Sequence, residues 1–276
     1  MNVIDTHLHC WDRDRFHYAW LEGADLPYRF APADAGPVPA EDRWRAVFME
    51  ADRLPGEAID EARWAMSLSP DGPGIEMVGA VAHAPLGVGA SSELTALRAE
   101  PGVVGIRRLL QDEPLDSFAD PALVADLRRV GEGGLVFDAC VRDHQLQALA
   151  ELADRCAGTT MVLDHLGKPD VSDPTSASSG VWIDGLRSLA ARGNVVVKLS
   201  GILPVDGAFE AVRPWVDACL DAFGPARTVL GSDWPVSRRP GDVYEDWFRF
   251  VLDDCGLSAD EVDAVSHGTA ERVYGL

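Results

Sequence analysis

The chain is short of cysteine and keeps none of it in pairs. Its five cysteines, Cys10, Cys140, Cys156, Cys219 and Cys255, are odd in number and scattered, with no C-x-x-C. That argues against a disulfide framework and a thiolate zinc centre, and predicts a reducing compartment, the cytoplasm. No apolar run approaches the roughly 18 residues of a membrane span. The opening MNVIDTHLHC has neither the basic nor the apolar region of a signal peptide. Positive charge is scarce too: 24 Lys and Arg against 45 Asp and Glu leave a net charge of -21. Such a surface repels polyanions, so nucleic acid and anionic membranes are excluded as partners. A small molecule and further copies of the chain remain. No internal repeat is found, and no glycine-rich phosphate turn follows the first strand-like run, as an open nucleotide-binding sheet would require.

What is present is a regular beat. The 276 residues, 47% hydrophobic and 25% charged, can bury roughly three quarters of the surface an unfolded chain exposes. Short β-branched runs recur at Val3-Ile4, Ala46–Met49, Met77–Val81, Val103–Ile106, Leu135–Phe137, Met161–Leu163, Val195–Val197 and Thr228–Leu230. Each is continuous rather than alternating, as strands buried on both faces are. Helical patterns lie between them at 120–130, 143–156 with Asp143 as N-cap, 182–192, 208–222 and 258–273, the last opened by a Ser258–Glu261 capping box. Eight strands alternating with helices predict an α/β fold, a single-domain (β/α)8 TIM barrel over residues 1–276. Two stretches stand outside the beat: a long loop after the first strand at about 10–42, and a polar, Ser-rich loop at about 170–181.

Charged residues close these runs at one end only, which is how a barrel active site reads. The first run enters His7-Leu8-His9, where strand alternation puts both imidazoles, and Asp5, on one face. Two such imidazoles can hold one divalent ion. Later runs end in Glu50, in Arg107-Arg108, in Asp164-His165 with Lys168 beyond, in Lys198 and in Ser232-Asp233-Trp234. Asp233, at the tip of a buried strand, suits a metal ligand or a base toward water. Alternation lets one of Asp164 and His165 face inward, and His165 is the stronger candidate as ligand or carbonyl-polarising donor. It likewise admits one of Arg107 and Arg108. Lys168 and Lys198 could each bind a carboxylate or an oxyanion, and for Lys198 a buried ion pair is an equal alternative. Trp11, beside the H-x-H, could wall a ring-binding pocket or pin the long loop.

The ordered segments IDTHLHCWD, YAWL, VGIRRLLQDEP, VLDHLGKP, VKLSG and FGPARTVLGSDWPV resemble the amidohydrolase superfamily, and within it the amidohydrolase 2, fuconolactonase-like lactonase branch. The resemblance spans residue 3 to about 275. It implies a TIM-barrel hydrolase of carbohydrate catabolism that opens sugar-acid or related lactones, such as 1,4-lactones. It assigns Asp233 and His165 to catalysis, and His7, His9 and Asp233, with Glu50 as an added oxygen donor, to one divalent ion, zinc in the first place. A metal-independent reaction is the alternative. Arg107 or Arg108, Lys168, Trp234 and Trp11 become substrate contacts. Two metals are not expected, because the fifth run ends in Asp138-Ala139-Cys140 without a histidine. The rival activities are zinc-dependent decarboxylation of an unsaturated or aromatic acid on the same barrel, and a non-catalytic binding barrel.

Overall fold

A computed structural model describes residues 1–54, 56–70, 72–88, 91–202, 208–239 and 241–276. All eight sequence runs fall on strands of one parallel sheet, Leu135 alone preceding its strand: β1 (Asn2–Leu8), β2 (Arg43–Met49), β3 (Ile75–His83), β4 (Val103–Leu109), β5 (Val136–Cys140), β6 (Met161–Leu163), β7 (Val195–Leu199) and β8 (Thr228–Leu230). They are hydrogen-bonded in that order. The two ends of the sheet meet where the Asp233 amide donates to the His7 carbonyl at 2.8 Å and the His9 amide to the Trp234 carbonyl at 3.0 Å. The sheet thus rolls up into a (β/α)8 barrel, as the sequence predicts.

Alternation divides each strand between two cores. Ile4, Val47, Met49, Val81, Val136, Val162, Val196 and Val229 fill the interior. Val3, Ala46, Phe48, Ile106, Phe137, Leu163, Val197 and Leu230 pack outward on the helices. Burying one such side chain stabilises by about 1.5–3 kcal/mol. The helical layer comprises α1 (Ala58–Met66), α2 (Ser91–Arg98), α3 (Pro121–Glu132), α4 (Leu146–Arg155), α5 (Ala177–Ala190) and α6 (Arg213–Phe223). The short helices α7 (Asp246–Arg249), α8 (Ala259–Asp263) and α9 (Thr269–Tyr274) complete it.

Side-chain caps set three of the helix starts. Asp120 caps α3 by accepting from the Ala122 amide at 2.8 Å, with Pro121 in the first turn. At α8 the Glu261 carboxylate accepts from the Ser258 amide at 2.9 Å, the expected capping box. Three expectations are corrected. Asp143 caps no helix; it opens a 3-10 turn over Asp143–Gln145, and α4 follows. Helix α5 begins at Ala177, where the Ser176 hydroxyl accepts from the Ser179 amide, so only 170–176 of the polar stretch is loop. The pattern at 258–273 is interrupted by a wide turn over Ala264–Gly268, beyond which Ala270 and Tyr274 join the interior core. The segment 10–42 is a packed layer: Trp11–Asp12 pairs antiparallel with Arg29–Phe30, and Trp11, Tyr18, Leu21 and Phe30 are buried.

Above the interior valines the same period brings in polar groups. His83 follows Val81 by two residues, Asp138 follows Val136, Asp164 follows Val162 and Lys198 follows Val196. Lys198 has no exposed surface; its ammonium donates to Asp138 Oδ1 and lies 3.0 Å from Asp164 Oδ1. Tyr274 donates to Asp138 Oδ1 at 2.9 Å from below. Burial pushes the Asp138 carboxyl up to about 6 against the pull of Lys198.

Beside the barrel, Glu61 on α1 is buried 3.6 Å from Arg53 Nε. Burial, reinforced by the Glu50 charge, pushes its carboxyl up to about 8 despite Arg53. Between the ordinary glutamate value and about 8 the folded protein therefore keeps a proton that the unfolded chain releases. Stability should fall as pH rises through that window, by up to about 1.4 kcal/mol per pH unit for one proton. Urea denaturation of Glu61→Gln from pH 5 to 8 should show a flatter profile than the wild type.

Candidate active site

The site begins with an irregularity in β1. Asp5 pairs with Ala46 and Leu8 with Phe48, three steps on β1 against two on β2. This bulge resets the alternation. Asp5, expected beside His7 and His9, instead accepts from the Ser232 amide at 2.9 Å, the Ser232 hydroxyl at 2.6 Å and the Tyr244 hydroxyl at 2.7 Å. It holds the β8 turn. His7 and His9 remain on the inner face, with their rings 5.0 Å apart.

His9 Nδ1 lies 3.0 Å from the Met49 carbonyl, which can only accept, so Nδ1 carries the proton. Its Nε2 then faces Asp233 Oδ1 at 3.2 Å, and His7 Nε2 lies 3.5 Å from the same oxygen. A ring nitrogen lone pair and a carboxylate oxygen repel unless a cation joins them, either a metal ion or a second proton. Asp233 sits in a left-handed conformation, φ 55°, three residues beyond β8. Its Oδ2 accepts from the Ser237 hydroxyl, which leaves Oδ1 for the histidines. Burial opposes its charge, but His165, His9 and His7, in their protonated forms, hold the carboxyl well below the usual range.

Both Asp164 and His165 reach the site, where alternation admits one. Strand β6 stops at Leu163, and His165 and Leu166 adopt left-handed backbone, φ 54° and 55°, so a turn replaces the pleat. Asp164 lies 3.4 Å from His7 Nδ1 and 3.8 Å from Arg107 Nη1. Despite burial, Lys198 and His7 hold its carboxyl well below normal. His165 Nδ1 is 2.9 Å from the Ser200 hydroxyl, and burial lowers its pKa to about 4. It is neutral at pH 7. Gly201, φ 61°, lets the chain pass beneath that ring.

Glu50, expected as an oxygen ligand, is committed elsewhere. Its carboxylate accepts from Arg107 Nε at 2.7 Å and from the Asp52 amide at 2.8 Å, and Arg107 Nη2 also grips its carbonyl at 2.6 Å. Against burial, Arg107 holds the Glu50 carboxyl down at about 2. Arg107 is the inward arginine, 3.5 Å from His7 Nε2 through Nη1. Arg108 turns outward to the Leu86 carbonyl and, at 2.6 Å, to Glu113. Trp11 has no exposed surface; it donates to the Pro27 carbonyl at 2.8 Å and meets Trp20 edge-on, pinning the loop. Trp234 packs edge-on to Tyr244 behind Asp233, with the Arg238 guanidinium over its face. Lys168, half-buried, ends the turn that carries His165 and is bonded to the Gln111 side chain.

Among the described residues two groups can gather on an ion: His7, His9 and Asp233, and His7, Asp164 and His165. The first fits a single divalent ion, because His9 presents a lone pair and Asp233 a free oxygen to one point. In the second, Asp164 is already bound to Lys198. Sequence reasoning did not single out Ser200, Gly201, Ser237 or the Met49 carbonyl, and it set Asp164 behind His165. The inward period that carries Val162 to Asp164 was the available signal; the serines had none.

An eight-stranded barrel with histidines at the end of β1, a histidine after β6 and an aspartate after β8 defines a barrel hydrolase. The chain belongs to the amidohydrolase family, whose model matches residues 4–276. It is 32% identical to an L-fucono-1,5-lactonase of Burkholderia ambifaria, an alignment covering 99% of this chain and 95% of that one. It is 26% identical to an L-rhamnono-gamma-lactonase of Scheffersomyces stipitis over 63% of this chain and 59% of the relative. An amidohydrolase of Burkholderia multivorans crystallised with bound zinc superposes with a TM-score of 0.81 at 27% identity, all of both chains being covered. The chain is a hydrolase acting on cyclic esters. No helix among the described residues is long and apolar enough to cross a membrane.

The close approach at Gly201 can be tested. A Cβ there would stand 2.2 Å from His165 Nδ1 on a backbone that disfavours side chains. Gly201→Ala should push His165 out of place and cut turnover by about a hundredfold, the effect of misplacing a reacting group by an ångström. Steady-state rates alongside circular dichroism would separate this from unfolding.

Proposed function

We propose that the chain hydrolyses the lactone of a sugar acid that carries no carboxylate of its own, with a 1,5-ring as the first choice. The observation that carries this reading is the convergence of His7 Nε2, His9 Nε2 and Asp233 Oδ1 beside a neutral His165. The ring size follows the L-fucono-1,5-lactonase to which the chain is similar; the gamma-lactonase keeps the 1,4-ring in the test. The charge balance supports a neutral substrate. Arg107 is paired with Glu50, Arg108 with Glu113, and Lys198 with Asp138 and Asp164. A carboxylate carried by the lactone itself would find these three cations already taken. Such a reaction would serve sugar catabolism in the cytoplasm.

In this reading a water lies at the His9–Asp233 junction. Asp233 Oδ1 takes its proton as the oxygen adds to the ring carbonyl, and the opened ring oxygen receives the proton back from Asp233. His165, fixed by Ser200, polarises the carbonyl, and Trp234 and Lys168 border the substrate. The nitrogen and oxygen donors suit zinc; an ion held by His7, His9 and Asp233 would acidify water from roughly 15.7 to about 7 and draw charge from the carbonyl. Ser237 occupies the other oxygen of Asp233, so the proton transfers use one oxygen only.

The direct test follows acid release with a pH indicator on neutral 1,5- and 1,4-lactones and on carboxylated lactones. Acid should form from the neutral set and not from the carboxylated set. Asp233→Asn should lose at least about a hundredfold in turnover, the low end of a general-base contribution. Near-normal activity in that variant would sink the assignment. Zinc titrated into chelator-stripped protein should bind at about one equivalent, and His9→Ala should abolish that binding.

A further inference from the structure

Lys168 differs from Arg107, Arg108 and Lys198, the other cations that follow or end the barrel strands. It lies on a left-handed residue, φ 53°, at the end of the turn that presents His165. Its ammonium donates to the side-chain oxygen of Gln111, which also receives the Cys140 thiol at 3.6 Å. Gln111 follows β4 and Cys140 ends β5, so three neighbouring strand ends meet there. The group is electrostatically in touch with the centre: Lys168 and Arg107 both bear on Cys140 and on His165. Arg107, Arg108 and Lys198 are each held by a carboxylate. Among the described residues no carboxylate lies within ion-pair distance of Lys168; the adjacent Asp112 is bound by Arg142 at 2.9 Å and feels Lys168 only through space.

We propose that Gln111 is a positioning residue: it fixes the Lys168 ammonium beside the site through a neutral amide, so that the charge, with no ion-pair partner, is left for the carboxylate that ring opening creates. This rests on the lactonase reading. Hydrolysis consumes one water, breaks the bond between acyl carbon and ring oxygen, and yields a hydroxy acid that gives up a proton. Charge therefore appears on the acyl oxygens in the transition state and stays there in the product. A cation with no partner of its own interacts more strongly with that developing charge than with the neutral lactone, which is the condition for lowering the barrier. A cation already neutralised contributes far less. The same feature makes the anionic product a competitor for the neutral substrate.

The experiment uses the isosteric change Gln111→Glu, which keeps the shape and the acceptor but supplies Lys168 with the carboxylate the other cations have. Lys168→Met and the neutral double variant Gln111→Met/Lys168→Met accompany it. Gln111→Glu and Lys168→Met should each lower kcat/KM on the preferred lactone by at least about tenfold, the scale of one charge-assisted hydrogen bond. The double variant should be no worse than Lys168→Met alone, whereas a purely structural role for Gln111 would add its own loss. Inhibition by the sodium salt of the product sugar acid should weaken by at least about tenfold in both single variants. Wild-type kinetics and inhibition in Gln111→Glu would overturn the proposal. If the wild type opens no lactone, calorimetry with the sugar-acid salt decides separately. Binding lost in both variants would keep Gln111 and Lys168 as a carboxylate-binding pair and overturn the ring-opening role together with the lactonase reading; no binding to the wild type would overturn the pair as well.

Discussion

A lysine ammonium sealed inside a barrel fixes where much else must lie. Lys198 has no exposed surface, and a charge so placed is tolerable only with ionised partners at hand. Asp138 and Asp164 provide them from β5 and β6, and Tyr274 completes the bonding of Asp138 from below. With Asp164 drawn to Lys198, its carboxylate also faces His7 and Arg107, which turns the other nitrogen of His7 toward Asp233. The orientation of the first histidine is thus set by an ion pair that touches no substrate.

Above that ion pair, the pleat gives way to turns. His165, Lys168 and Asp233 all carry positive φ, a conformation that side-chain-bearing residues adopt at a cost. Each lies beyond the last residue of its strand, where ladder bonds no longer impose a period of two. Small partners hold these turns: Ser200 and Gly201 for His165, Ser237 and Ser232 for the stretch around Asp233. The VKLSG segment therefore acts twice, with Lys198 below the site and Ser200-Gly201 under the ring beside it.

The legible part of this molecule is the part governed by strand period. Eight β-branched runs mark the barrel because both faces of every strand are buried, and the charged residues after them mark its active end. The same period, counted from Val136, Val162 and Val196, selects Asp138, Asp164 and Lys198 as inward groups. What resisted reading arises where the period breaks. The bulge in β1 turns Asp5 away from His7, and the left-handed turn after Leu163 admits both Asp164 and His165. Pairing was equally hidden, since nothing local to Glu50 says that Arg107, far along the chain, will claim it. Trp11 sits next to the histidines in sequence yet packs into the loop layer, because a large apolar ring gains more from complete burial than from lining a wet mouth.

The seam between β1 and the β8 turn has a bearing on how the protein comes apart. The His7 carbonyl and His9 amide that close the barrel belong to the residues whose rings face Asp233, and the Asp233 amide is itself one of the closing donors. Loosening that edge and dismantling the site are therefore one event. Local opening of a fold ordinarily begins wherever protection is least. Here any occupant gripping both histidines and the aspartate would act as a clasp across that edge, and would make the barrel's resistance to fraying depend on occupancy.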